Sequence, residues 1–203
     1  MKVANRTSTS ARRFVPSGLR YASYCFLLAG IVAVSYAGYI LADARVYQAV
    51  ELRKFSHHAP LVEPHLLTIG EVMGQIEIPS LELQAVIVQG DSTEILRRAV
   101  GHLPETPMPG EWGNVALAGH RDSLFRPLRH IQTGDFITLR TIGGETFQYR
   151  VESTRVVSPT DMEVLRPSNR KELTLITCFP FDFVGSAPNR FIVRAFEVAP
   201  SND

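Results

Sequence analysis

Hydrophobic and polar positions divide this chain into two regimes that change over near residue 70. From Tyr21 to Ala42 there is no charged residue, a stretch of 22 that spans about 30 Å at helical rise. Tyr21, Tyr24, Tyr36 and Tyr39 lie toward its ends, where amphipathic rings favour a membrane interface. Ala42-Asp43-Ala44 offers a small-x-small cleavage site. The apolar stretch nevertheless exceeds a signal-peptide core of about 7–15 residues, so an uncleaved anchor is expected. Residues 43–69 read as a stalk. Val46, Val50 and Phe55 keep a helical spacing before Ser56-His57-His58-Ala59-Pro60 breaks it, and Pro64 favours extended chain.

Beyond Gly70 the period shortens to two. Val72–Pro79, Leu83–Gln89, Asn114–Gly119, Asp135–Thr141, Thr146–Val157, Leu173–Cys178 and Arg190–Val198 are short runs rich in strand formers. Gly143-Gly144 predicts a tight turn between Ile137-Thr138-Leu139 and Phe147-Gln148-Tyr149. Thr93–Val100, Leu124–His130 and Asp161–Leu165 predict short helical turns on the outside. Seven or eight strands without a long helix imply an all-β barrel or sandwich over residues 70–203.

Charge sharpens the division. The formal net charge of +1 over 203 residues hides five basic side chains and no acid within residues 1–20. The remainder holds 16 basic and 20 acidic side chains. No basic patch survives outside the tail, which argues against nucleic acid as a partner. The positive-inside rule puts residues 1–20 in the cytoplasm, the span at 21–42, and the rest outside. Cys25 lies within the apolar span and Cys178 far from it, so Cys178 is expected to be a free thiol.

Cys178 ends the run Thr174-Leu175-Ile176-Thr177-Cys178. Alternation puts Leu173, Leu175 and Thr177 on one face and Thr174, Ile176 and Cys178 on the other. In the last strand Phe191, Val193 and Ala195 oppose Arg190, Ile192 and Arg194. With the bulky apolar sets inward, Cys178 and Arg190 both point outward at the same end, joined by one loop of 11 residues, 179–189. His120 follows the strand Val115–Gly119 in line with Ala116 and Ala118, small residues that leave a floor for a peptide. Cys178 suits a nucleophile, since a thiolate attacks carbonyls. His120 suits a general acid and base. Arg190 stays charged and suits oxyanion stabilisation, together with backbone N–H groups near Thr177 and Cys178. Thr177 and Ala118 are therefore candidate substrate-binding positions.

Leu117-Ala118-Gly119-His120, Thr174–Cys178 and Arg190, in that order, resemble the sortase family of membrane-anchored cysteine transpeptidases. Cys178-Phe179-Pro180-Phe181 through Pro188-Asn189-Arg190-Phe191 is most similar to class D. The resemblance covers roughly residues 70–198. It implies an eight-stranded barrel and His120, Cys178 and Arg190 as the catalytic set. It also implies an LPxT-like sorting-signal peptide as one partner, and as the other an amine acceptor such as a cell-wall precursor or a pilin lysine. No cofactor is implied. The expected localisation is single-pass in the cell membrane, with the catalytic domain outside.

Several local patterns compete with this. Leu103-Pro104-Glu105-Thr106 looks like a sorting signal, but a Trp-Gly-Asn turn and a core strand follow it, so a proline-rich loop is expected. Asp161 with Glu163 falls short of the six to eight oxygens of a calcium cage. His57, His58 and His65 lack a neighbouring cysteine or carboxylate cluster, so no metal is expected. Asp122, beside His120, is expected to be a surface charge. An L,D-transpeptidase would need an arginine two residues after the cysteine, where this chain has Pro180. A catalytically inactive, membrane-tethered assembly module is the alternative from another class, and the presence of all three reactive residue types argues against it.

Overall fold

The computed structural model describes residues 17–57, 67–183 and 185–198. Helix α1 (Ser17–His57) carries the apolar run and is long and apolar enough to cross a membrane. Its large apolar side chains, Phe26, Leu28 and Val34 among them, are exposed. The chain divides into two compact units, with the second beginning at Asp43. Residues 43–57, expected to lie in a stalk, are helical, which extends the weak Val46/Val50 spacing. His58 and His65 lie outside the described residues.

The second unit is a closed barrel. Its strands are β1 (Val72–Ile78), β2 (Leu83–Gln89), β3 (Val100–His102), β4 (Gly113–Ala118), β5 (Phe136–Thr141), β6 (Thr146–Val157), β7 (Lys171–Phe179) and β8 (Asn189–Glu197). They close in the order β1-β2-β3-β4-β7-β8-β6-β5. The predicted hairpin is present, with Ile137 opposite Tyr149 and Leu139 opposite Phe147. Alternation drives the closure: Ile137, Leu139, Leu173, Leu175, Val193 and Ala195 are fully buried from three different strands. The helical turns shrink to α2 (Thr93–Leu96), capped by the Ser92 hydroxyl, and to 3₁₀ turns at Arg126–His130 and Met162–Leu165.

Two pairings position the site. β4 runs parallel to β7, with Ala116 beside Thr174 and Ala118 beside Ile176. β8 returns antiparallel on the other side of β7, with Thr177 opposite Phe191 and Cys178 opposite Arg190. β4 and β7 therefore end, and β8 begins, at one rim of the barrel.

Candidate active site

Cys178 sits in the middle of that rim. The β4–β7 pairing ends with Ala118 beside Ile176, His120 follows two residues later, and Arg190 faces Cys178 from β8. All three are half-buried. Cys178 is a free thiol. The structure thus sets Cys178 on β7 opposite Arg190 on β8, with His120 two residues beyond the end of neighbouring β4.

Local chemistry fixes the strand ends. Gly119 N–H donates to the Ile176 carbonyl at 3.1 Å, and the Thr177 hydroxyl donates to the Gly119 carbonyl at 2.7 Å. A side chain at Gly119 would meet the ring of fully buried Phe125 at 2.7 Å, so glycine is what lets the chain pass there. The His120 carbonyl then accepts from Phe125 N–H at 3.0 Å, which folds the following turn back under it. Beneath Cys178 and Arg190 the next residues inward form an aromatic plug. Phe179, Phe181 and Phe191 meet with ring centroids 5.3–6.3 Å apart.

The Thr177 side chain points inward, on the face shared with Leu173 and Leu175. It is 2 % exposed, and its hydroxyl is committed to Gly119. Its inward face was set by the alternation that buries Leu173 and Leu175, so only its main chain is left for a ligand. Ala118 is half-buried at the end of β4, between Gly101 of β3 and Ile176 of β7. Asp122 is exposed. Asp161 caps the Met162–Leu165 turn by accepting from Glu163 N–H, and Glu163 pairs with Arg166. Those two acids are occupied locally.

Electrostatics separate the two outward arginines of β8. Arg194 forms an ion pair with the buried carboxylate of Glu172 at 2.5 Å. Among the described residues no carboxylate pairs with Arg190, whose Nη1 donates only to the carbonyls of Asn189 at 3.0 Å and Ala187 at 3.4 Å. Its positive charge is therefore available to an anionic ligand or transition state beside the thiol.

A pocket of about 520 Å³ lies beside the loop that follows β3 and was missed from sequence. Leu103, Pro104, Glu105 and Thr106 line one side, Met162 and Leu165 the other, with Asp91. The Leu-Pro-Glu-Thr segment is a loop, as expected. Its Thr106 hydroxyl accepts from Ala116 N–H of β4 at 3.2 Å and donates to the Leu103 carbonyl at 2.8 Å. The opposite wall is pinned by Asn114, whose amide donates to the Val164 carbonyl at 2.9 Å and accepts from the Thr174 hydroxyl at 2.7 Å. These are long-range contacts between loops, invisible to local periodicity. The available hint was a cluster of apolar residues in segments that otherwise read as turns.

Residues 76–198 match the family model described as the sortase domain. The chain is 37 % identical over 125 residues to Sortase D of Bacillus subtilis (strain 168), a match covering 61 % of this chain and 63 % of that protein. It is 34 % identical over 117 residues to Sortase A of Staphylococcus aureus (strain NCTC 8325 / PS 47), covering 54 % and 56 %. These matches span less than two thirds of the relatives' own lengths. Among solved structures, the Clostridium perfringens Sortase D5 transpeptidase superposes with a TM-score of 0.67 at 28 % identity, covering 76 % of this chain and 99 % of that one. A barrel with this strand order, a thiol, imidazole and guanidinium on one rim, and a family match over more than half its length leave one assignment: the chain belongs to the sortase family.

Proposed function

We propose that this protein is a membrane-anchored, class D-like cysteine transpeptidase that cuts an LPxT-like sorting signal after its threonine. The acyl fragment then passes to an amine, such as a cell-wall precursor or a pilin lysine. The observation that carries this reading is the register that puts Cys178 opposite Arg190, with His120 just beyond the end of the strand that runs beside β7.

In the first half-reaction the Cys178 thiolate adds to the threonine carbonyl. Electron density moves to the carbonyl oxygen, where Arg190 stabilises it. Collapse of the tetrahedral species expels the downstream amine as His120 protonates it, leaving a thioester on Sγ. In the second, the acceptor amine attacks the thioester, His120 takes its proton, and the Cys178 thiolate departs with a new amide formed. Ala118 contributes floor beneath the peptide. Residues 1–20 lie in the cytoplasm, 21–42 span the membrane, and 70–203 form the catalytic domain outside, in keeping with the basic tail.

The test is intact-mass spectrometry of the protein offered LPxT-like and LAxT-like peptides. A thioacyl adduct is expected on the wild type and none on Cys178→Ala, because Cys25 lies within the apolar span. Peptide cleavage at the wild-type rate by Cys178→Ala overturns the assignment.

A further inference from the structure

Two arginines from the segment after His120 grip the loop that joins Cys178 to Arg190. Arg121 Nη2 donates to the carbonyls of Phe183 at 2.7 Å and Gly185 at 2.8 Å, and its guanidinium lies 5.8 Å from the Phe183 ring centroid. Arg129, from the 3₁₀ turn, pairs with Asp182 at 3.2 Å and lies 5.5 Å from the Phe181 ring centroid. The two grips differ in what they hold. Arg129 meets a side-chain carboxylate and a ring that packs on the aromatic plug, at the root of the loop. Arg121 holds main-chain carbonyls near the tip, where Phe183, Gly185 and Ser186 are exposed.

Arg121 is also covalently next to His120. Through it the imidazole-bearing end of β4 and the loop between the thiol and the guanidinium are tied to each other. Its Nη1 is buried without an acceptor among the described residues. Arg129 Nη2 is buried in the same way, so what sets Arg121 apart is its place beside His120 and its hold on the loop's main chain. We infer that Arg121 is a positioning residue, whose double hold through Nη2 on the Phe183 and Gly185 carbonyls sets the spacing of His120 against Cys178 and Arg190. The inference rests on reading those three as one catalytic unit. Both bonds come from Nη2, so it requires two N–H donors pre-organised by the rigid guanidinium plane, which an ammonium on a flexible stem does not hold in place.

The experiment uses the full chain in detergent with Arg121→Ala, Arg121→Gln, Arg121→Lys and Arg129→Ala. It reads acyl-transfer kcat and KM, the rate of Cys178 alkylation by iodoacetamide, and the thermal midpoint. A misplacement on the order of 1 Å can lower a rate about 100-fold. Arg121→Ala is therefore expected to lose roughly 10- to 100-fold in kcat, with KM changed less than about threefold and alkylation slowed. Arg121→Lys should resemble the alanine variant. Arg129→Ala should lower the midpoint while keeping kcat within about threefold. Full rescue by lysine would make Arg121 an electrostatic partner and overturn the inference. So would an equal kcat loss in Arg129→Ala at an equal drop in midpoint, or wild-type kcat and alkylation in Arg121→Ala. If the alanine variant does not fold, the glutamine variant is judged by the same outcomes. Alkylation needs no peptide, so a failure of every sorting-signal peptide on the wild type would strike the transpeptidase reading and leave the alkylation comparison to decide this one.

Discussion

At the scale of single residues, strand alternation reached the catalytic candidates because each stands at a strand end on the face opposite a strictly apolar set. It also predicted that Thr177 faces inward with Leu173 and Leu175, which is why its hydroxyl serves Gly119. His102 was not legible, because nothing local distinguishes a histidine buried on β3. Its Nδ1 lies 2.8 Å from the side-chain amide of Gln89, and its Nε2 lies 3.0 Å from the Pro107 carbonyl and 3.2 Å from the Thr106 hydroxyl. Burial pushes its pKa below the ordinary histidine value, with the Pro107 contact and Glu111 opposing. The unfolded chain, with a histidine near pKa ~6.5, then binds more protons than the native state from about that pH down to the depressed value. Stability from this group is complete above that window and is lost as the pH falls through it. Urea midpoints should decline as the pH falls below about 6.5, and His102→Gln should flatten the decline. An identical slope in the variant would assign the acid sensitivity to other groups. Gly119→Ala tests the neighbouring constraint. A methyl group at 2.7 Å from the Phe125 ring must displace either the ring or the strand end that carries His120. Overpacking of this kind costs about 1–3 kcal/mol. Both the thermal midpoint and the acyl-transfer rate should fall, and a midpoint unchanged to within a degree would show that Phe125 yields freely.

At the scale of elements, strands of six residues or more were legible and β3 was not. Three residues with Gly101 at the centre carry no alternation, and β3 is defined only by its neighbours, parallel to β2 and antiparallel to β4. The parallel β4–β7 pair is equally silent in sequence, since no turn joins its members. The outer end of α1 was legible as helical but not as packed. Gln48 closes a gap that β3 leaves: the β2–β3 pairing starts at Ile87, and the Gln48 side chain accepts from Val86 N–H at 2.8 Å and donates to the Arg98 carbonyl at 2.6 Å. Asp43 pairs with Arg98 at 2.7 Å, with both side chains about a third exposed. The hydrogen bonds should outweigh the ion pair. Stranding a buried backbone donor costs about 1–3 kcal/mol, whereas a partly exposed pair is worth about 0–1 kcal/mol. Gln48→Ala should therefore lower unfolding stability well beyond Asp43→Ala in the same urea titration. The reverse order would mean that water satisfies Val86 in place of Gln48.

At the scale of the whole molecule, strand density limited the outer domain to a barrel or sandwich, and the motif resemblance selected the barrel. Closure depends on β1 meeting β5 and β6 meeting β8. No sequence-local signal encodes the β6–β8 contact, because the turn Met162–Leu165 and all of β7 intervene. The domain boundary follows from the packing. Val86, Val88 and Ala99 lie outside the main core, nearly fully buried, with Tyr47 and Leu52 of α1 packed against them. A fragment starting at Gly70 keeps the entire barrel and loses this cover, whereas one starting at Asp43 keeps both. Full burial of a valine side chain is worth roughly 1.5–3 kcal/mol, and the helix covers only one side of each, so the shorter fragment should be less stable by about 2 kcal/mol. Both are expected to fold cooperatively, because the main core from Met73 to Ala195 draws on all eight strands, short β3 contributing Val100. The measurement is a urea titration of fragments 43–198 and 70–198, with a dye that reports exposed apolar surface. The shorter fragment should show the lower midpoint and the stronger dye signal, with Cys178 still open to alkylation in the folded baseline. Coincident midpoints would mean that the outer turns of α1 add nothing to the barrel. Loss of cooperative unfolding in the shorter fragment alone would move the folding boundary of the catalytic domain back to Asp43.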